Sequence, residues 1–322
     1  MDRLTLKQVS VLWKEDRKTF VKLSSYSTYL NHLDQHILPA LGDGGSPPED
    51  KVQQFALDML RKGYSLSSVQ DIIMVLKMVV YYGSKIGAWP PPHWNIKYPT
   101  VYSRSRIQVL TRHEQCLLMK YLINHYTEPN LGMYVCLSTG LRIGEICGLQ
   151  WKDIDLQRRM LSVNKTYERI YIRDDTEHHT ELILGPPKTV ESMREIPLSE
   201  DLVILLTKIL PGKNPEHYLL SNSSKPMEPR TLRNHFYAAL QASNTRKIRF
   251  HGLRHSFATR CIEYGCDYKT VSAILGHSTI NTTLNLYVHP NLDQKMRCIE
   301  TVSLSSLGDK EPDSFQIGIR RR

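Results

Sequence analysis

Six side chains, met in chain order, have the chemical types needed to hold a phosphodiester and attack it: Arg142, Lys188, His251, Arg254, His277 and Tyr287. Phosphodiester cleavage builds negative charge on the non-bridging oxygens, and fixed cations stabilise that charge. Arginine suits the task because its planar fork grips two oxygens and stays charged at any working pH. Arg142 stands in TGLRIGE and Arg254 in FHGLRHSFAT, each beside a glycine or at a predicted helix start, where backbone approaches a phosphate closely. His251 and Arg254 are three apart on a predicted helix and so share a face. His277 follows Gly276, which reads as a helix C-cap, and belongs at the mouth of the same pocket. Ten residues on, Tyr287 offers a phenol whose ordinary pKa near 10 demands a proton acceptor and cationic neighbours before it acts as a nucleophile. Lys188 lies on a Gly-Pro-Pro-Lys turn between predicted strands, placed to reach over the site as a general acid.

Taken singly, each residue has a plainer reading. The chain holds 17 tyrosines, so Tyr287 alone reads as structural. Arg142 alone reads as a helix cap, and Lys188 alone as a surface lysine. His251 and His255 have the i,i+4 spacing of a metal pair, but the Glu of an HExxH motif and a third ligand are both missing. His178 and His179 read as a solvated turn. Glu145, three after Arg142, is placed to brace that arginine; Arg194 reads as a strand-end support or a contact to the DNA backbone. What separates these residues from coincidence is their occurrence together, in order.

These groups need elements to position them. LTLKQVSVLWKEDRKTF reads as a first helix, and SYSTYLNHLDQHIL as a second, capped by Ser24 or Ser25 and stopped by Pro39 and Gly42. Pro47 and Pro48 open a third, ending at Gly63, and Ser65 caps a long apolar fourth that runs to Gly87. The predicted fold is therefore mainly α: a four-helix module over 1–88, then a linker over 89–106. That linker holds four prolines, which forbid regular structure, and nothing in it is expected to close a core. Thr111 and Glu114 form a capping box that starts a helix in a second domain, 107–303. A buried helix interrupted at Gly140 follows, then short β-rich pieces (MLSVNKTYERIYI, ELILGPPK, REIPL) that make a small antiparallel sheet. Helices resume at SEDLVILLTKIL and RTLRNHFYAALQA and continue to about residue 300. A tail over 304–322 is polar, with a short apolar island and a basic end.

Composition bounds the partners. The 322 residues carry 42 Lys+Arg against 32 Asp+Glu, a net charge of +10, which points to a polyanion, nucleic acid before an anionic membrane surface. The N-terminus lacks the apolar core of a signal peptide, and no run of apolar residues long enough to span a bilayer is evident, so no membrane partner is expected. Six cysteines without CxxC spacing suit reduced thiols in the cytoplasm.

The segments TGLRIGE, PPKT…SMREIPL, HGLRHSFAT, LGHS and NLYVH together resemble the tyrosine site-specific recombinases, the phage-integrase family. The resemblance covers roughly residues 20–300. It implies a pentad of Arg142, Lys188, His251, Arg254 and His277 with Tyr287 as nucleophile, and it makes the N-terminal module a core-binding (SAM-like) domain that clamps duplex DNA with the catalytic domain. Implied too is the reaction: a 3′-phosphotyrosine, a free 5′-hydroxyl that attacks the partner's phosphotyrosine, and a Holliday junction resolved by a second round, with no cofactor, metal or ATP. The implied partners are double-stranded recombination sites, a homo-tetramer across two of them built from free monomers, and accessory DNA-bending or directionality proteins. Because the four-helix module begins almost at Met1, no room is expected for the arm-binding domain that many integrases of mobile elements carry. A catalytically silent DNA binder and a topoisomerase-like nicking-resealing enzyme are the competing readings.

Overall fold

The computed structural model describes residues 4–99, 108–173, 178–187 and 192–277, together with Thr279, Leu284, Met296 and Ile299. Lys188, Tyr287 and the tail from 304 lie outside the described residues. The described residues fall into two compact units: one drawn from 1–106, 165–188 and 226–231, the other from the remainder.

The first unit begins with α1 (Leu6–Phe20), started by a capping box in which Thr5 and Gln8 exchange backbone and side-chain hydrogen bonds. Next, α2 (Leu23–His32) starts at Lys22, ahead of the serines expected to cap it. Pro39 does not stop it. The helix widens into a π turn over Leu33–Ile37 and continues as α3 (Leu38–Leu41), ending at Gly42. Proline lacks an N–H and its ring crowds the carbonyl four residues back, so the widened turn absorbs the misfit without breaking the rod. Then come α4 (Glu49–Arg61) and α5 (Leu66–Lys85), the latter capped by Ser65, whose hydroxyl accepts from Ser68 N at 3.1 Å.

The apolar stripes of these helices meet in one core that includes Leu6, Trp13, Ile37, Phe55, Ile72 and Leu76. Each such side chain contributes about 1.5–3 kcal/mol on full burial. By length and composition α5 is apolar enough to cross a bilayer, contrary to the expectation that no such run exists, but its residues from Val69 to Gly83 build this core.

The proline-rich segment behaves differently from a free linker. It has no regular secondary structure, yet Trp89, Trp94, Ile96 and Tyr98 pack against the bundle core. The Trp89 indole N–H donates to Val80 O at 2.9 Å, and the ring lies against Gly83, where a Cβ would sit 2.2 Å from Cζ2. Gln53 and Lys97 exchange two hydrogen bonds of 2.8 Å, fastening the extended backbone to α4. The expectation that this stretch closes no core is thereby corrected. Its aromatics supply the apolar surface, and proline, locked in φ, lowers the entropy lost in laying it down.

Among the described residues the strands form two sheets. In the second unit, β1 (Ile154–Asp155), β2 (Met160–Val163) and β5 (Arg194–Pro197) pair antiparallel in the order β1-β2-β5, with Leu161 opposite both Ile154 and Ile196 on the buried face. By contrast, β3 (Thr166–Arg173) and β4 (His178–Gly185) make a separate hairpin that groups with the helical bundle, where Tyr171 N donates to Ser27 Oγ at 2.7 Å.

The remaining helices of the second unit frame the site. The expected capping box of Thr111 and Glu114 starts α6 (Arg112–Asn124). A run buried on nearly every side forms α7 (Glu128–Thr139), broken at Gly140 as expected, and α8 (Ile143–Cys147) follows. Beyond the sheet lie α9 (Glu200–Ile209), α10 (Pro229–Ala242), α11 (His251–Glu263) and α12 (Tyr268–Leu275). Ser256 ties α11 in place by accepting from Leu110 N at 2.8 Å and donating to Gly252 O at 2.7 Å.

Candidate active site

Four of the six residues singled out from sequence, Arg142, His251, Arg254 and His277, lie in the second unit around the last turn of α12. Lys188 and Tyr287 fall outside the described residues.

The carbonyls at the end of α12 organise the arginines. Three successive ones each accept from a different guanidinium: Ile274 O from Arg194 Nε at 2.5 Å, Leu275 O from Arg254 Nη2 at 2.6 Å, and Gly276 O from Arg142 Nη2 at 3.0 Å. A helix C-terminus leaves these carbonyls without intrahelical partners and carries partial negative charge, so cations belong there. Arg254 also donates Nη1 to Gly140 O at 2.9 Å, at the end of α7. Both helices end in left-handed glycines, Gly140 with φ +72° and Gly276 with φ +64°. At Gly140 a Cβ would meet Phe257 at 2.6 Å and Leu275 at 2.7 Å, so space as well as φ demands glycine there.

Glu145 binds the arginines from the other side. Only 3% exposed, it accepts Arg142 Nη1 at 2.7 Å and Arg142 N at 2.9 Å, and holds Arg194 through Nη1 at 3.1 Å and Nη2 at 3.0 Å. Burial pushes its carboxyl pKa up, but the hydrogen bonds and charge of Arg194, then the charge of Arg142, outweigh it and hold the group below its ordinary value. The expected brace is thus present. Arg194 resolves to its structural alternative: β5 delivers it, opposite Val163, with a side chain only 7% exposed and its donors engaged within the fold. That burial removes it as a DNA-backbone contact.

The two arginines expected to meet phosphate differ in access. Arg142, at the N-cap of α8, keeps 34% of its side chain exposed, whereas Arg254 is 2% exposed and lies beneath it. His251 opens α11 and stacks edge-on to His255 with ring centroids 4.5 Å apart. Its pKa falls to about 4 through lost hydration, followed by His255, Arg254 and Arg142. Because His251 is still exposed on its outer side, the neighbouring cations are the sturdier cause. His277 also falls to about 4, through burial, then Arg254 and Arg142. Both imidazoles are therefore neutral at physiological pH and can accept a proton or a hydrogen bond. His255 is lowered as well, by burial and Arg254. No group of His, Cys, Asp and Glu among the described residues has the arrangement of a metal site. The backbone carbonyls of α12 and α7 that complete the site have no side-chain signature in the sequence; the glycines that end both helices, Gly140 and Gly276, are their one local signal.

Residues 108–294 match the phage integrase family, and residues 5–44 match the N-terminal SAM-like domain of phage integrases. The XerC-like tyrosine recombinase of Caldanaerobacter subterraneus is 29% identical over 185 residues, 52% of this chain and 47% of that protein. The ICEBs1 integrase of Bacillus subtilis is 28% identical over 175 residues, 50% of this chain and 45% of that protein. The chain thus spans about half the length of these curated relatives. Among solved structures, the Tn1549 transposon integrase in complex with a circular intermediate DNA has the same fold, with a TM-score of 0.72 at 22% identity, over 93% of this chain and 100% of that one.

Proposed function

This chain belongs to the phage integrase family, and on that premise we propose that it is a site-specific DNA recombinase that cuts and rejoins duplex DNA through a 3′-phosphotyrosyl intermediate and a Holliday junction. The observation that carries this reading is the gathering of Arg142, Arg254, His251 and His277 at one helix end, two fixed cations beside two neutral imidazoles.

Arg142 grips the non-bridging oxygens of the scissile phosphate, and Arg254 adds its charge from beneath. Charge developing in the transition state then meets dipoles and cations already in place. The Tyr287 oxygen bonds to phosphorus, its proton passing to His251, while His277 hydrogen-bonds a phosphoryl oxygen. The bond from phosphorus to the 5′-oxygen breaks, and Lys188 protonates that leaving oxygen. Rejoining runs the same steps backward on a partner's 5′-hydroxyl. One phosphodiester replaces another, so the exchange needs no nucleotide hydrolysis and no cofactor. The partners we propose are double-stranded recombination sites of a mobile element, bound by monomers that assemble as a homo-tetramer on two sites, with accessory DNA-bending or directionality proteins, in the cytoplasm. The bundle serves as a core-binding domain, and the net charge of +10 supports phosphate contacts.

Sequencing of DNA that stays on the protein through detergent tests the proposal. Wild type should retain DNA enriched in one short sequence, and Tyr287→Phe should bind the same DNA yet retain none. A supercoiled plasmid carrying two copies of that sequence should then yield recombinants. Relaxation alone would make the enzyme topoisomerase-like, and binding without any covalent adduct would make it a silent DNA binder.

A further inference from the structure

The α11–α12 corner holds two cysteines that the proposed reaction does not use. After Glu263, α11 ends in a left-handed Gly265 (φ +90°), with Gly265 N donating to Ile262 O at 3.1 Å and Cys266 N donating to Cys261 O at 3.0 Å. This paired 5→2 and 6→1 pattern is the Schellman motif, which brings the side chains flanking the turn against each other. Here both are cysteines, two positions before and three after Glu263, and the Cys266 thiol is near enough to help raise the Cys261 pKa. Cys266 is exposed, while Cys261 is half-covered and packs against the cluster of Ala258, Val271 and Leu275.

We propose that Cys261 and Cys266 are a reversible redox site that closes into an intramolecular disulfide. Cys266 attacks first because it is the exposed member, and thiol–disulfide exchange needs access. Its thiolate attacks one sulfur of a disulfide oxidant such as oxidised glutathione, forming a mixed disulfide and releasing one glutathione. Cys261 then attacks the Cys266 sulfur, the internal disulfide forms, and the second glutathione leaves. Two thiol protons end on two glutathione thiols and two electrons pass to the oxidant. Burial raises the Cys261 thiol to about 11, which suits a resolving partner that reacts only once a mixed disulfide is held beside it. The other described cysteines differ: Cys136 and Cys147 are buried, with thiol pKa values pushed up, Cys147 to about 12, and Cys116 is exposed on α6, outside any such turn. The corner joins the helix that begins with His251 and Arg254 to the helix whose carbonyls hold the three arginines, so the site sits in the frame of the active centre.

The full chain, equilibrated with oxidised and reduced glutathione, quenched by alkylation and cut with trypsin, gives the test. The peptide from Cys261 to Lys269 carries both sulfurs. After oxidation it should lose two hydrogens and take no alkyl label, and after dithiothreitol it should take two. Closure should need a smaller proportion of oxidised glutathione in the folded protein than in urea, since the turn holds the thiols together. Cys261→Ser should stall at a glutathione adduct on Cys266, and Cys266→Ser should leave Cys261 unmodified. A stable glutathione adduct on the wild-type peptide, both cysteines open to alkylation throughout, or equal closure folded and unfolded would each overturn the proposal.

Discussion

Glu145 and Arg194 face each other through two parallel hydrogen bonds, Nη1 to Oε1 at 3.1 Å and Nη2 to Oε2 at 3.0 Å, with both side chains buried. The same carboxylate holds Arg142, so Arg194 positions Arg142 at second hand. Arg194→Ala leaves Glu145 with a single cationic partner in a dry site. Breaking a buried pair costs about 3–5 kcal/mol, and the retained Arg142 contact puts the expected loss near the lower end. Urea unfolding reads that loss. Arg194→Lys keeps the charge without the fork and should recover only part of it. Under conditions where both variants are folded, cleavage should still be slow; normal cleavage by folded Arg194→Ala would show that Arg142 needs no such support.

The depressed pKa values set a pH dependence of stability with a definite sign. Between about pH 6.5 and 4, His251 and His277 take up protons in the unfolded chain but refuse them in the fold. The unfolded state binds more protons there, so stability falls as pH drops through that window and is flat above it. His32, His36 and His255, also lowered with burial as the leading cause, act in the same direction. The depressed Glu145 carboxyl adds a loss at lower pH, as the fall passes through its folded value. Thermal midpoints should therefore be level from pH 7 to 8 and decline below about 6.5, and the double variant His251→Gln, His277→Gln should decline less steeply. A wild-type profile that rises on acidification would contradict the assignment.

The helix pattern was the most legible part of the sequence. Apolar spacing marked α5, the Thr111–Glu114 pair marked the start of α6, and Gly140 and Gly276 marked two helix ends. These signals are local, acting over three or four residues. Less legible were pairings made through space. Trp89 on Gly83 depends on a bundle face that no window of sequence displays, and the passage of the α2–α3 rod through Pro39 depends on a change of hydrogen-bond register. The site follows the same division. Its side chains announced themselves by type and order, whereas the carbonyls of Ile274, Leu275 and Gly276 that hold them exist only once α12 has folded.

Gly83→Ala tests the packing of the proline-rich segment. A methyl group at that position would sit 2.2 Å from Trp89 Cζ2, and the indole cannot retreat without surrendering its hydrogen bond to Val80 O. Overpacking of this kind costs about 1–3 kcal/mol. Ala is otherwise the better helix former by about 1 kcal/mol, so a net loss in urea unfolding isolates the contact. In Trp89→Leu the clash is relieved, and adding Gly83→Ala should then be neutral or stabilising. An equal penalty in both backgrounds would mean that the indole does not rest on Gly83.

Lys188 gives the sharpest test of the proposed chemistry, because an acid and an electrostatic clamp respond differently to the leaving group. Protonating the 5′-oxygen matters only while that oxygen leaves poorly. A 5′-bridging phosphorothiolate departs as a thiolate of much lower pKa and scarcely needs the proton. Lys188→Ala should therefore cleave ordinary DNA slowly, by about the 10²–10⁴-fold typical of losing a general acid, yet cleave the thio-substrate nearly as fast as wild type. Arg254→Ala should be slow on both, since charge on the non-bridging oxygens develops whichever atom leaves, and its unfolding should be followed in parallel because Arg254 is buried against Gly140 and Leu275. Single-turnover cleavage of matched oxygen and sulfur substrates reads the difference directly. Equal losses for Lys188→Ala on the two substrates would assign the acid to another residue, and not to His251 or His277, whose imidazoles carry no spare proton at pH 7.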